Sequence, residues 1–125
     1  DGHVAALLAA GLDGLEAHVT AVASGTVDAA RMRASRGWSE EDWQAAVDRL
    51  AERGLLDRSG ALTPRGTALR AEVDATTERL ALEPWEHLGP DGTQRLGELL
   101  DPIARRIVDS GVLPYPNPIG LPRAG

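Results

Sequence analysis

The sequence predicts a mostly α-helical fold carrying one short β-hairpin, and three observations lead there. Apolar residues recur at helical spacing along most of the chain, as in Leu8, Leu12, Leu15, Val19 and Val22. Successive segments open on a capping residue (Asp1, Thr26, Ser39, Thr63) and close on Gly25, Gly37, Gly54 and Pro84. Only around Asp57-Arg58-Ser59-Gly60 do two short apolar runs, Leu55-Leu56 and Ala61-Leu62, flank a turn.

Taken in order, residues 2–23 form an amphipathic helix capped by Asp1, with Gly11 and Gly14 weakening it enough to permit a bend near Asp13. A shorter helix spans 27–35 behind Thr26 and ends at Gly37. The next start carries the clearest local signal. Ser39 is the N-cap with Asp42 three residues on, and Trp38 and Trp43 occupy the two positions of a hydrophobic staple. Glu40, Glu41 and Asp42 fill its first turn, where the helix dipole favours negative charge. Trp43, Val47 and Leu50 mark the buried face of that helix. After the hairpin, Thr63-Pro64 restarts a helix with Pro at its first position, carrying Leu69, Val73 and Leu80 to Pro84. A loop with Trp85 leads to a last helical stretch over 90–110, bearing Leu96, Leu99, Leu100, Ile103, Ile107 and Val108, which Pro102 should kink. The tail, 112–125, holds four prolines and should be extended.

The 125 residues, 42% apolar and 26% charged, suit one globular domain, with a core over 26–83. No apolar run approaches the roughly 18 residues of a membrane span, and no basic leader precedes the first helix. The absence of cysteine removes disulfides and thiolate chemistry and fits a reducing, cytoplasmic setting. All thirteen basic residues are arginine, which excludes Schiff-base chemistry and the phosphate-binding lysine of nucleotide loops. No cofactor is called for. The three histidines do not cluster: on a continuous first helix His3 and His18 lie about 22 Å apart, and His87 stands in a loop. No metal site and no catalytic constellation follow. Asp1, in place of methionine, suggests a piece of something longer.

The order short helix, tight turn at Arg36-Gly37, longer helix, hairpin, further helix is that of a winged helix-turn-helix. The runs Arg-Ala-Ser-Arg-Gly-Trp-Ser-Glu-Glu-Asp-Trp (33–43), Arg-Leu-Ala-Glu-Arg-Gly-Leu-Leu-Asp (49–57), Leu-Thr-Pro-Arg-Gly (62–66), Pro-Asn-Pro-Ile-Gly-Leu-Pro (116–122) and the opening Asp-Gly-His-Val-Ala-Ala-Leu resemble the SalK-type helix-turn-helix family. More loosely, 49–66 is similar to the reading helix, wing and following helix of MarR-type regulators. The SalK resemblance implies that the chain is the C-terminal portion of a longer protein, and it carries no catalytic residues with it.

DNA readers place the start of the second helix of this motif against base edges and phosphates. Here residues 39–53 carry five acids and two arginines, a net of −3, and Glu40, Glu41 and Asp42 stand where the groove would be met. The formal charge of the chain is −6. The candidates for DNA contact are Arg31, Arg33, Arg36, Arg58 and Arg65 for phosphates and Gln44 for a base edge. His3, Trp38 and Trp85 are candidates for a pocket or interface. The expected role is a regulator-type module used for protein or small-ligand contacts, with weak or lost DNA binding. The alternatives are a MarR-like DNA-binding regulator and, third, the scaffold part of an enzyme whose site lies in an N-terminal region. The expected partners are that region or a second copy, through the apolar stripes of 2–23 and 92–109, with duplex DNA disfavoured by charge and no membrane.

Overall fold

A computed structural model describes residues 1–115. Its helices are α1 (Gly2–Ala9), α2 (Gly14–Ala23), α3 (Ala29–Arg36), α4 (Glu40–Glu52) and α5 (Pro64–Asp109). By its internal packing the chain divides into two compact units, Asp1–Glu78 and Arg79–Gly125.

In the first unit the helix expected over 2–23 is two helices. Gly11 takes a left-handed φ of +69°, and the amides of Gly11 and Leu12 turn back to the carbonyls of Leu8 and Leu7. Asp13 then caps α2 in a full reciprocal box: its carboxylate accepts from the Glu16 amide at 2.7 Å, and Glu16 accepts from the Asp13 amide at 3.1 Å. The two helices meet at 91°. The bend splits the expected apolar stripe. Leu12, Leu15 and Val19 are buried, whereas Leu8, on the far side of the corner, is 67% exposed.

Asp28 rather than Thr26 caps α3; Thr26 instead donates its hydroxyl to the Ala21 carbonyl near the end of α2. Gly37, at φ 72° and ψ 22°, ends α3 in the left-handed conformation. The Ser39 hydroxyl accepts from the Asp42 amide at 3.0 Å. Asp42 does not complete a box as Glu16 does, because its short carboxylate accepts the Ser39 hydroxyl proton at 2.6 Å. Trp43 is buried at 8% exposure, and Trp38 packs half-buried against the same core. That core joins Leu12, Leu15 and Val19 to Met32 of α3, Ala46 and Leu50 of α4, and Leu55 and Leu56 beyond it.

The expected β-hairpin wing is absent: among the described residues there is no strand, only an isolated antiparallel bridge between Leu56 and Leu62. The winged form of the fold is therefore corrected to a helical helix-turn-helix. The reason is local. The Asp57 carboxylate accepts from the amides of Ser59 and Ala61 and from the Ser59 hydroxyl, so the loop closes on itself. Thr63 follows the bridge at once, its hydroxyl donating to the Gly54 carbonyl and accepting from the Gly66 amide to start α5. Only Ala61 and Leu62 remain between turn and cap, too few for a strand to extend. Gly66 is held there by contact: a Cβ at this position would lie 2.1 Å from the Leu55 carbonyl oxygen.

The helix expected to stop at Pro84 continues past it. Pro84 and Pro102 both lie inside α5, and the non-helical residue is Gly89, at φ 71° and ψ 172°. Pro90 then reopens the helix from the position that needs no amide proton. Trp85, expected in a loop, is consequently a helical residue of the second unit, half exposed. His87, expected beside it in the same loop, is helical and exposed as well. The proline-rich tail from residue 116 onward, with the motif at 116–122, lies outside the described residues.

Candidate functional site

The helix-turn-helix consists of α3, the three residues Gly37-Trp38-Ser39, and α4, with α2 packed against both helices. The turn is fixed at both ends, by left-handed Gly37 with the Trp38 amide on the Arg33 carbonyl at 3.1 Å, and by the Ser39 cap. One side chain ties it to α2: the Trp38 indole N–H donates to Nδ1 of His18 at 3.0 Å. Accepting at Nδ1 requires His18 to be neutral. Partial burial, with the positive Arg36 as a lesser cause, holds its pKa below the ordinary imidazole value.

The electrostatics of α4 are decided by a residue that sequence reasoning passed over. Glu16 of α2 is 5% exposed. One of its carboxylate oxygens accepts from Arg49 Nε at 3.2 Å, and the other from an Arg53 guanidinium nitrogen at 3.2 Å. Arg49 also reaches Asp13 at 3.0 Å, and Arg53 donates to the Gly11 carbonyl at 2.9 Å. The bond to Glu16 raises the Arg49 pKa above the usual arginine value. Both cations of α4 are thus turned toward α2. Glu41, Gln44, Asp48 and Glu52, spaced by three and four, are left on the exposed face with Ala45. The one base-reading amide is engaged too, since Gln44 Nε2 donates to Asp48 at 2.9 Å. The signal for this arrangement was present in the sequence as Asp13-x-x-Glu16 and as Arg49 and Arg53 one turn apart. It was hidden because residues 2–23 read as one helix, with a bend near Asp13 permitted but no new helix start there.

The remaining candidates fall at separate places. Arg33 is ion-paired with Glu40 across the turn. Arg31 and Arg36 are exposed on α3, Arg58 sits in the turn after α4, and Arg65 lies in the first turn of α5. His3 is half-buried and joins α1 to α5, its Nδ1 lying 3.0 Å from the Thr77 hydroxyl oxygen. That hydroxyl also lies 2.8 Å from the Val73 carbonyl oxygen, one turn earlier in α5. Trp38 serves the turn, and Trp85 belongs to the second unit.

A tight turn between two capped helices, the second presenting one face to solvent, is the arrangement of helix-turn-helix proteins. Residues 1–114 match the helix-turn-helix family, and the chain belongs to it. No curated protein and no solved structure matches the chain. No single helix among the described residues is long and apolar enough to cross a membrane.

Proposed function

We propose that this chain is a SalK-type helix-turn-helix module whose α4 docks protein or small-ligand groups and binds duplex DNA weakly or not at all. The observation that carries this reading is the outward face of α4, where Glu41, Asp48 and Glu52 have no ion pair among the described residues while Arg49 and Arg53 are held by Glu16. A helix entering the major groove passes between two rows of phosphates, and an acidic face is repelled by both. Of the arginines proposed for phosphate contact, Arg33 is already paired with Glu40. That leaves Arg31, Arg36, Arg58 and Arg65, a small number against the phosphate contacts that give DNA-binding proteins their affinity.

The test is a salt titration of duplex binding. The unmodified chain is expected to show no binding tighter than the nonspecific range, about 10⁻⁴–10⁻⁶ M, near physiological salt. The triple change Glu41→Gln, Asp48→Asn, Glu52→Gln should strengthen residual binding if α4 approaches the groove. Nanomolar binding of one sequence by the unmodified chain in about 150 mM salt, the regime of specific readers, would replace this reading with that of a DNA-binding regulator.

A further inference from the structure

A half-enclosed cavity of about 180 Å³ lies between α1 and the part of α5 that belongs to the first unit. Ala6, Ala9 and Ala10 line it from α1 and its cap, and Leu69, Glu72, Val73 and Thr76 from α5. Each set is spaced by three and four, so each is one face of its helix. Ala6 and Val73, at 4% and 2% exposure, form the floor, and the exposed Ala9 and Glu72 stand at the mouth. Protein interiors ordinarily hold few voids larger than a water molecule, because side chains close in on them. Here α1 is tied at both ends. At its start His3 Nδ1 lies 3.0 Å from the Thr77 hydroxyl oxygen. At its finish the corner is held by the Arg53 guanidinium, which donates to the Gly11 carbonyl at 2.9 Å. Between those ties α1 offers this gap only alanine methyls, too short to fill it.

We infer that this cavity binds a small organic monocation, an amine carrying one six-membered ring, with the ring between the alanines and Leu69 and the ammonium at Glu72. Size points to the ring. An engineered apolar cavity of ~150 Å³ in another protein takes up benzene, and the space here is of that order. Charge points to the amine. Glu72 is in no ion pair among the described residues. Arg70, on the same stretch of helix, pairs with Asp74. Arg53, which reaches the Ala10 carbonyl at 3.4 Å, is held by Glu16. A carboxylate at the rim of an apolar cavity attracts a cation and repels an acidic ligand. The cavity is separate from the outward face of α4 and does not depend on what that face docks.

The experiment is a titration of the isotope-labelled 125-residue chain with benzylamine at neutral pH, followed by amide chemical shifts. Benzoate and methylamine are titrated beside it. Benzylamine is expected to shift amides of residues 6–10 and 69–76 along saturable curves. Its dissociation constant should be about 1 mM, the strength open to so few non-hydrogen atoms. Benzoate keeps the ring and reverses the charge, and methylamine keeps the charge and loses the ring. Each should bind about 3-fold or more weakly than benzylamine. Glu72→Gln should bring benzylamine and benzoate to within about 2-fold of each other. Ala9→Leu, which fills the mouth, should weaken benzylamine about 10-fold or more. Helical circular dichroism and Trp43 emission report the folding of each variant, and the comparison of ligands on the unmodified chain needs no variant. An absence of saturable shifts in these segments up to about 10 mM benzylamine overturns the inference. So does benzoate binding as tightly as benzylamine, or full benzylamine affinity in folded Ala9→Leu.

Discussion

Glu16 shows how one side chain sets the charge of a surface on which it does not appear. Its carboxylate is buried, caps α2 and holds two guanidinium groups of α4. Glu16→Ala removes the box and both ion pairs, and a loss of about 1–3 kcal/mol is expected, measured by urea denaturation. Glu16→Gln keeps an acceptor but no charge, so Arg49 and Arg53 should become accessible and any DNA affinity should rise with it. His18 gives the pH dependence. Its folded pKa lies below the unfolded 6.5, so the unfolded chain takes the proton first. The contribution is complete above that value and is lost as pH falls through it toward the folded pKa. Wild-type stability should therefore drop between pH 7 and pH 5 more steeply than that of His18→Gln. Parallel profiles would mean that the Trp38 bond is not pH-sensitive.

Among the elements, the segment joining α4 to α5 is the most constrained. Thr63 bonds back to Gly54 and Leu55, and Gly66 lies where the Leu55 carbonyl leaves no room for a Cβ. Gly66→Ala is expected to cost about 1–3 kcal/mol as an overpacking change. The same change at Gly97, where a Cβ meets nothing within 4 Å, should be neutral or stabilising, because Ala favours a helix interior. Thermal unfolding of the pair checks both. In α4, Trp43→Ala should cost about 3–5 kcal/mol, since a buried indole leaves a cavity that neighbours fill only partly. Most helix starts and stops were legible in sequence for the same kind of local reason, Ser39 and Gly37 being the clearest. Pro84 misled because the helix runs on through it despite the lost amide bond and the crowding of the preceding turn, and the non-helical residue is Gly89 instead.

For the molecule as a whole, every buried apolar residue among those described lies between Ala6 and Val73, inside the first unit. A chain ending at Glu78 should thus unfold cooperatively, with a midpoint within a few degrees of the full chain. A broad, non-cooperative melt would show that the second unit is needed for the core.

The sequence by itself determined the helical class, the turn between α3 and α4, the caps at Asp1, Ser39 and Thr63 and the excess of acid at the start of α4. These are written in residues within four positions of each other, where capping and periodicity act. Only the structure decided that α1 and α2 meet at a corner, that the bridge at Leu56 and Leu62 does not grow into a wing, and that Arg49 and Arg53 are paired with Glu16. The first two outcomes are made by bonds between near neighbours, whereas the last rests on partners that sequence distance separates. The arginines of α4 meet a carboxylate more than thirty residues earlier, and no local pattern states which way a long cationic side chain will turn until the helix holding its partner has packed beside it.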